Sequence, residues 1–98
     1  MENKLATYLG FAKKSGKIVY GVDNILDKSK KAIMLMCDKS LSENSFSKIK
    51  NISERVNIKI YVTDNLDKIL NTTNCKAIAI TSKDLAKAIQ ELNILKEV

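Results

Sequence analysis

The sequence predicts an α/β domain built as a three-layer α/β/α sandwich, with a central four-stranded sheet that is mixed but largely parallel. Helical and strand patterns alternate in the order α-β-α-β-α-β-α-β-α, which is typical of strands joined through helices. Two apolar runs, residues 32–36 and Ala77–Ile80, lack polar alternation, as strands covered on both faces do. The 98 residues, 45% of them hydrophobic, suffice for a single domain spanning residues 1–98.

Two helices and two strands are predicted in the first 38 residues. Apolar side chains recur every three or four residues across positions 3–14, which predicts an amphipathic helix ended by Gly16. A short apolar strand, residues 18–20, then leads to Gly21, where a second helix begins with Asp23 or Asn24 accepting first-turn N–H groups. Residues 32–36 are the second strand. The side chains expected to face the core from these two helices are Leu5, Tyr8, Leu9, Ala12, Val22, Ile25 and Leu26.

Three helices and two strands are predicted in the remainder of the chain. Residues 42–45 offer N-cap side chains for a third helix, and residues 58–62 alternate as a strand with one drier face. A short helix at 64–70 and a polar loop at 71–74 lead to the strand Ala77–Ile80. The final helix follows a capping-box sequence. These last three helices are expected to bury Phe46, Ile49, Ile52 or Ser53, Val56, Leu66, Ile69, Leu70, Leu85, Ala88, Ile89 and Leu92.

The composition excludes several kinds of site. The chain has no histidine, so it cannot build an ordinary Cys/His zinc site or a histidine-based catalytic triad. The two cysteines, Cys37 and Cys75, are far apart in the sequence and are expected to be reduced residues within strands. Asp23, Asp27 and Asp38 match no metal-binding loop, and Asp23 and Asp38 are better explained as a helix cap and a turn residue. We therefore expect no catalytic residue, no metal and no cofactor.

Charge indicates the class of partner. The formal charge is +6 and the isoelectric point is near 9.4, which favours polyanions through counterion release. No apolar run approaches the roughly 18 residues that cross a bilayer, so we expect a cytoplasmic monomer without membrane contact. The basic excess lies in the first third of the chain, where seven lysines face three carboxylates: Lys4, Lys13, Lys14, Lys17, Lys28, Lys30 and Lys31 against Glu2, Asp23 and Asp27.

Two interpretations of these lysines remain open. In the first, Lys13, Lys14 and Lys17 converge with the helix start at Gly21 and with the later lysines, and together they hold RNA phosphates while Asn24 contacts base edges. In the second, Lys13 and Lys14 are simply a solvated helix end that suits the helix dipole. A stacking platform for single strands is not expected, because the few aromatic residues are spaced as core residues.

Three segments resemble a known family. Residues 9–21, 42–45 and 77–89 are similar to the small bacterial YlxQ-type ribosomal-protein-like group, and the most specific match is residues 12–17 together with Gly21. This group belongs to the wider kink-turn RNA-binding family of the archaeal ribosomal protein L-seven-Ae. Element order and length also agree with this group along essentially the whole chain. It implies an α/β/α domain that binds the sharply bent stem–internal loop–stem of kink-turn RNA.

The resemblance also implies which residues contact RNA. In the family, a G-x-N-E-x-x-K pattern at the start of the second helix enters the major groove at sheared G·A pairs, and a loop before the last helix covers extruded nucleotides. On this chain the pattern begins at Gly21, with Asp23 at the Asn position, Asn24 at the Glu position and Asp27 at the Lys position. The RNA-binding residues expected are Lys13, Lys14, Lys17, Gly21, Val22, Asp23, Asn24, Asp27, Lys28 and Lys31.

The leading functional hypothesis is therefore a non-enzymatic RNA-binding protein, part of a ribonucleoprotein. Its expected target is structured, kink-turn-like RNA within ribosomal RNA or an mRNA leader, with the ribosome as a candidate partner. The alternative is a protein-interaction module that keeps the fold but has lost specific RNA binding. A third class, a fragment resembling the accessory domain of an RNA-modifying enzyme, fits the length but lacks a catalytic partner domain.

Overall fold

Helices and strands alternate along the chain in the predicted order, and one short strand is added at the end. The structure is a computed structural model that describes residues 4–72, 75–92 and 95–97. The elements are α1 (Lys4–Ser15), β1 (Ile18–Tyr20), α2 (Val22–Asp27), a 3-10 turn (Ser29–Lys31), β2 (Met34–Asp38), α3 (Glu43–Val56), β3 (Ile60–Thr63), α4 (Leu66–Leu70), β4 (Ala77–Ile80), α5 (Lys83–Glu91) and β5 (Lys96–Glu97).

The strands form one mixed sheet in the order β1-β4-β2-β3-β5. The β2–β3 pair is parallel, whereas β4 runs antiparallel to both β1 and β2, and β5 runs antiparallel to β3. The prediction of a mixed sheet is confirmed, but the prediction that it is largely parallel is wrong. An apolar run without alternation indicates a strand covered on both faces, and this pattern is the same for either strand direction.

The central strands separate two hydrophobic clusters. All five residues of β2 are buried, and the four apolar ones alternate between the clusters because successive side chains of a strand point to opposite faces. Met34 and Met36 belong to a cluster that includes residues of α1, α4 and α5, while Leu35 and Cys37 belong to one that includes residues of α2 and α3. A different set of helices therefore packs on each face of β2.

The strand β5 is a feature that the sequence does not predict. It consists of Lys96–Glu97, which pair with Val62 and Tyr61 of β3. Two residues are too few to show a strand period, so only the neighbouring strand specifies them. At other boundaries the differences are small: the predicted strand at 32–36 is Met34–Asp38, and positions 73–74 of the predicted loop lie outside the described residues.

Two glycines shape the path from α1 to α2. Gly16 has a φ of 69° and ends α1 in a Schellman motif. The Gly16 N–H donates to the Lys13 carbonyl at 3.3 Å, and the Lys17 N–H donates to the Ala12 carbonyl at 2.9 Å. Gly21 has a φ of 85° and a ψ of 150°, and its N–H donates to the Ala77 carbonyl at 2.9 Å. At Gly21 the chain therefore stays paired with β4 while it turns into α2.

Helix α2 differs from its prediction in its cap and in its buried face. Neither Asp23 nor Asn24 caps it: the N-cap is Gly21, without a side-chain hydrogen bond. Ile25 is buried as expected, but Leu26 is 36% exposed, because one residue is about 100° around a helix and α2 has only six residues. The expectation that Leu26 faces the core is wrong. By contrast, Ser42 and Ser82 cap α3 and α5 by accepting N–H groups at 3.3 Å, and the predicted caps are confirmed there.

Asp38, at the end of β2, joins three segments. One carboxylate oxygen accepts the N–H of Leu66, the first residue of α4, at 2.8 Å. The other oxygen accepts the N–H of Ser40 at 2.9 Å and also the Ser40 hydroxyl. Burial raises the pKa of the Asp38 carboxyl, but these hydrogen bonds and the nearby Lys76 ammonium outweigh it and leave the pKa below its usual value. The prediction that Asp38 is a strand-end turn residue is confirmed.

We predict that Asp38→Asn lowers the free energy of unfolding at pH 7 by about 1–3 kcal/mol, since an amide has one acceptor oxygen fewer for the donors of Ser40 and the buried N–H of Leu66. Because the pKa of Asp38 is lowered by folding, its stabilisation is full above the unfolded pKa of about 4 and is lost as pH falls through the folded pKa. Urea unfolding at pH 7 and at pH 3 measures both effects, and the gap between wild type and variant should shrink at pH 3.

The matched control for this experiment is Asp64→Asn. Asp64 is an exposed carboxylate that pairs with Lys39 at 3.4 Å, and exposed pairs contribute at most about 1 kcal/mol. Equal losses for the two variants at pH 7, or a gap that does not change with pH, would contradict the structural role of Asp38.

We further predict opposite effects for alanine at two glycines. A Cβ added at Gly10 or Gly21 meets no atom within 4 Å, so sterics are equal and backbone conformation decides. Gly10 lies within α1, where Gly10→Ala should stabilise by about 0.5–1 kcal/mol. At Gly21 the backbone lies in a region that is essentially restricted to glycine, so Gly21→Ala should destabilise by about 1–3 kcal/mol. Thermal unfolding of both variants checks the signs, and stabilisation by Gly21→Ala would refute the assignment.

Candidate nucleic-acid interface

The end of α1 presents three of the predicted RNA contacts. Lys13 and Lys14 are in its last turn, and Lys17 follows before β1; all three are exposed. The Lys13 ammonium donates to the Leu70 carbonyl at 2.8 Å, so it satisfies a free carbonyl at the end of α4. Lys13 is thus partly engaged in the fold, whereas the ammonium groups of Lys14 and Lys17 have no partner among the described residues.

The start of α2 holds the residues that correspond to the family pattern. Gly21 uses its N–H within the sheet, and Val22 is half-buried against the cluster that includes α2 and α3. Asp23 is exposed in the first turn. The Asn24 amide donates to the Tyr20 carbonyl at 2.9 Å, which leaves its second amide hydrogen and its oxygen available. Those two groups suffice for paired hydrogen bonds to an adenine edge.

The end of α2 brings the remaining predicted residues. Asp27 is its last residue, Lys28 follows as the C-cap, and Lys30 and Lys31 lie in the 3-10 turn; all four are exposed. Arg55 of α3 donates to the Ser29 hydroxyl at 3.2 Å and holds the turn in place. The ion pairs found among the described residues are Lys39–Asp64, Lys59–Glu97 and Lys76–Asp38, so no carboxylate there neutralises the lysines between positions 14 and 31.

The register places the predicted residues at two opposite edges of the sheet. Here an edge is the side of the sheet at which strands begin or end, and not an outer strand. At one edge the Thr81 N–H donates to the Lys17 carbonyl at 3.0 Å, and the Ile33 N–H donates to the Ile80 carbonyl at 2.8 Å. At the other edge Gly21 pairs with Ala77. Lys17 and Gly21 are four residues apart along β1, which corresponds to roughly 13 Å. The structure thus does not bring Lys17 to the helix start at Gly21, and this part of the predicted convergence is not found.

The edge that contains Gly21 carries no excess of positive charge. A polar cavity of about 410 Å³ opens between the turn after β2 and the start of α4, and Asp38, Asp64 and Asp67 line it with Lys39 and Lys76. The lysines there are paired: Lys39 with Asp64 at 3.4 Å, and Lys76 with Asp38 at 4.0 Å. This edge offers no surplus of positive charge to a phosphate backbone.

A second cavity of about 410 Å³ lies beside it, between the ends of β2 and β3 and the first turns of α3. Its walls include Cys37, Leu41, Phe46 and Val62. Burial raises the pKa of the Cys37 thiol to about 12, so the thiol is protonated at neutral pH and is a poor nucleophile.

Within the described part of the chain, no group of three or more acidic or cysteine side chains is placed to hold a metal ion.

Two exposed features are not among the predicted residues. Lys83 is exposed in the first turn of α5, two residues after Thr81, and so lies at the same edge as Lys17. Only the strand order reveals this, because the two lysines are distant in sequence. Phe11 is 55% exposed on α1, and the only sequence signal for this exposure is its position outside the apolar stripe of the helix.

None of the described helices is long and apolar enough to span a membrane.

Comparison with known proteins shows the fold and goes no further. No family model matches the chain, and no curated protein matches it. Among 104 solved chains that do match is a protein of unknown function from Bacillus halodurans, which is 14% identical with a TM-score of 0.84 over 93% of this chain and 97% of that chain. One fold can host many functions, so function has to be argued from the site. The chain is a small mixed α/β protein whose fold recurs in solved structures.

Proposed function

We propose that this protein binds structured RNA and catalyses no reaction, as a member of the kink-turn RNA-binding family. The observation that carries the proposal is the set of five exposed ammonium groups between positions 14 and 31 that no described carboxylate neutralises: Lys14, Lys17, Lys28, Lys30 and Lys31. The similarity of residues 9–21 to the YlxQ-type group supports it. We also propose the family's α/β/α sandwich for the two clusters on either side of β2.

Lysine suits this role physically. An exposed ammonium attracts phosphate as a point charge, and each phosphate that it neutralises releases condensed counterions. Because such contacts carry no sequence information, base discrimination has to come from elsewhere. Asn24 is the candidate, since one amide hydrogen and its oxygen are free, whereas Asp23 and Asp27 weaken phosphate contacts at α2 by repulsion.

We predict that the protein binds both a kink-turn RNA and a plain RNA duplex at about 50 mM salt, and the kink-turn more tightly. The logarithm of the association constant should fall linearly with the logarithm of salt concentration, because the binding energy comes largely from phosphates. Fluorescence anisotropy over a salt series measures both slopes. Equal affinities and equal slopes would reduce the claim to general RNA binding, and no binding at low salt would end it.

A protein-interaction module is the second candidate, and the exposed ring of Phe11 favours it. A phenylalanine that is 55% exposed suits a protein contact, since aromatic residues are enriched in such interfaces. Co-sedimentation with ribosomes discriminates between the two functions. RNA binding predicts that Lys14→Glu/Lys17→Glu abolishes co-sedimentation and that Phe11→Ser leaves it intact. The reverse pattern would favour the protein-interaction module.

A further inference from the structure

Four lysines from three segments lie together at the edge of the sheet where β1 and β2 begin. We name this surface the basic edge and define it by Lys17, Lys30, Lys31 and Lys83. Strand β4 lies between β1 and β2 and ends at this edge. Here the Thr81 N–H donates a hydrogen bond to the Lys17 carbonyl, and the Ile33 N–H donates one to the Ile80 carbonyl. Neighbouring strands are about 4.8 Å apart, so the starts of β1 and β2 are separated by roughly 10 Å.

The charge of this edge is not balanced by its neighbours. All four lysines are exposed, and none is in an ion pair within the described part of the chain. The carboxylates nearest to these lysines along the chain are Asp84, in the first turn of α5, and Asp27, at the end of α2. Lys59, at the start of β3, is paired with Glu97 at 3.2 Å and adds no free charge. Neither carboxylate forms an ion pair with any of the four lysines in the part of the chain that the structure describes.

The two edges therefore differ as surfaces for a polyanion. The edge at Gly21 has paired lysines and three carboxylates around its cavity, whereas the basic edge has free lysines that project from separate segments. A phosphate backbone is a line of regularly spaced charges, and it is best matched by cations from several elements along one line. The start of α2, with Asp23 exposed, offers no such line.

We infer that the basic edge holds the sugar–phosphate backbone of an RNA stem, at the opposite end of β1 from Asn24. This inference rests on the proposed function and identifies the lysines that supply the affinity for RNA. The stem lies across the starts of β1 and β2, and Lys31 and Lys83 contact its phosphates together with Lys17. Recognition at this edge depends on the spacing of phosphates and not on base identity.

Two double variants test the assignment. Lys31→Glu/Lys83→Glu removes charge from the basic edge, and Lys48→Glu/Lys50→Glu removes it from exposed positions on α3. Each Lys→Glu substitution changes the charge by two units, so both doubles take the net charge from +6 to +2. General electrostatic attraction is therefore weakened equally, and any difference between the doubles reports the position of the contacts.

We expect the basic-edge double to lower affinity for a plain RNA duplex at least tenfold more than the control and to reduce the salt slope by about two. Equal losses with equal slopes would overturn the assignment while RNA binding itself stands. Failure of the wild type to bind duplex or kink-turn RNA would instead refute the proposed function. The neutral pair Lys31→Gln/Lys83→Gln provides a second test, since it removes the same two contacts without introducing repulsion, and an unchanged slope would count against the basic edge. Circular dichroism spectra of all variants check the fold.

Discussion

The charge distribution of this protein depends on one constraint, the antiparallel pairing of β4 with strands on both of its sides. Because β4 runs against β1 and β2, it ends where they begin, and its last residue lies opposite Ile18 and Met34. Lys17, Lys31 and Lys83 are far apart in the sequence, yet this pairing brings them to one edge. A parallel β4 would place the start of α5, with Lys83, at the opposite edge.

The opposite edge is organised by Asp38. Its carboxylate accepts hydrogen bonds from the turn after β2 and from the start of α4, so the fold itself uses the negative charge that collects there. The protein consequently has one edge whose charged groups stabilise the fold and another edge whose four lysines, Lys17, Lys30, Lys31 and Lys83, are in no ion pair among the described residues. Such a separation orients a protein as it approaches a polyanion, which favours productive encounters.

The sequence predicts elements well where a local pattern specifies them. Ala77–Ile80 is a strand with its predicted bounds because four apolar residues between polar segments leave little alternative. Strand direction depends on partners that are distant in sequence, and the exposure of Leu26 depends on how far a short helix extends. The same limit applies to the candidate site: the excess of lysines is visible in the sequence, but their distribution between two edges is not.

If RNA lies on the basic edge, its phosphates contact the end of β1 that is opposite Asn24. Affinity and base discrimination then come from opposite ends of this strand. Titrating the isotopically labelled protein with a short RNA duplex and following backbone amide resonances tests this most directly. RNA bound at the basic edge should shift the resonances of Lys17, Lys31 and Lys83 at low RNA concentrations, with little change at Asp38 and Asp64. Shifts confined to residues 21–24 and 64–67, with the basic edge unperturbed, would contradict this placement of the RNA.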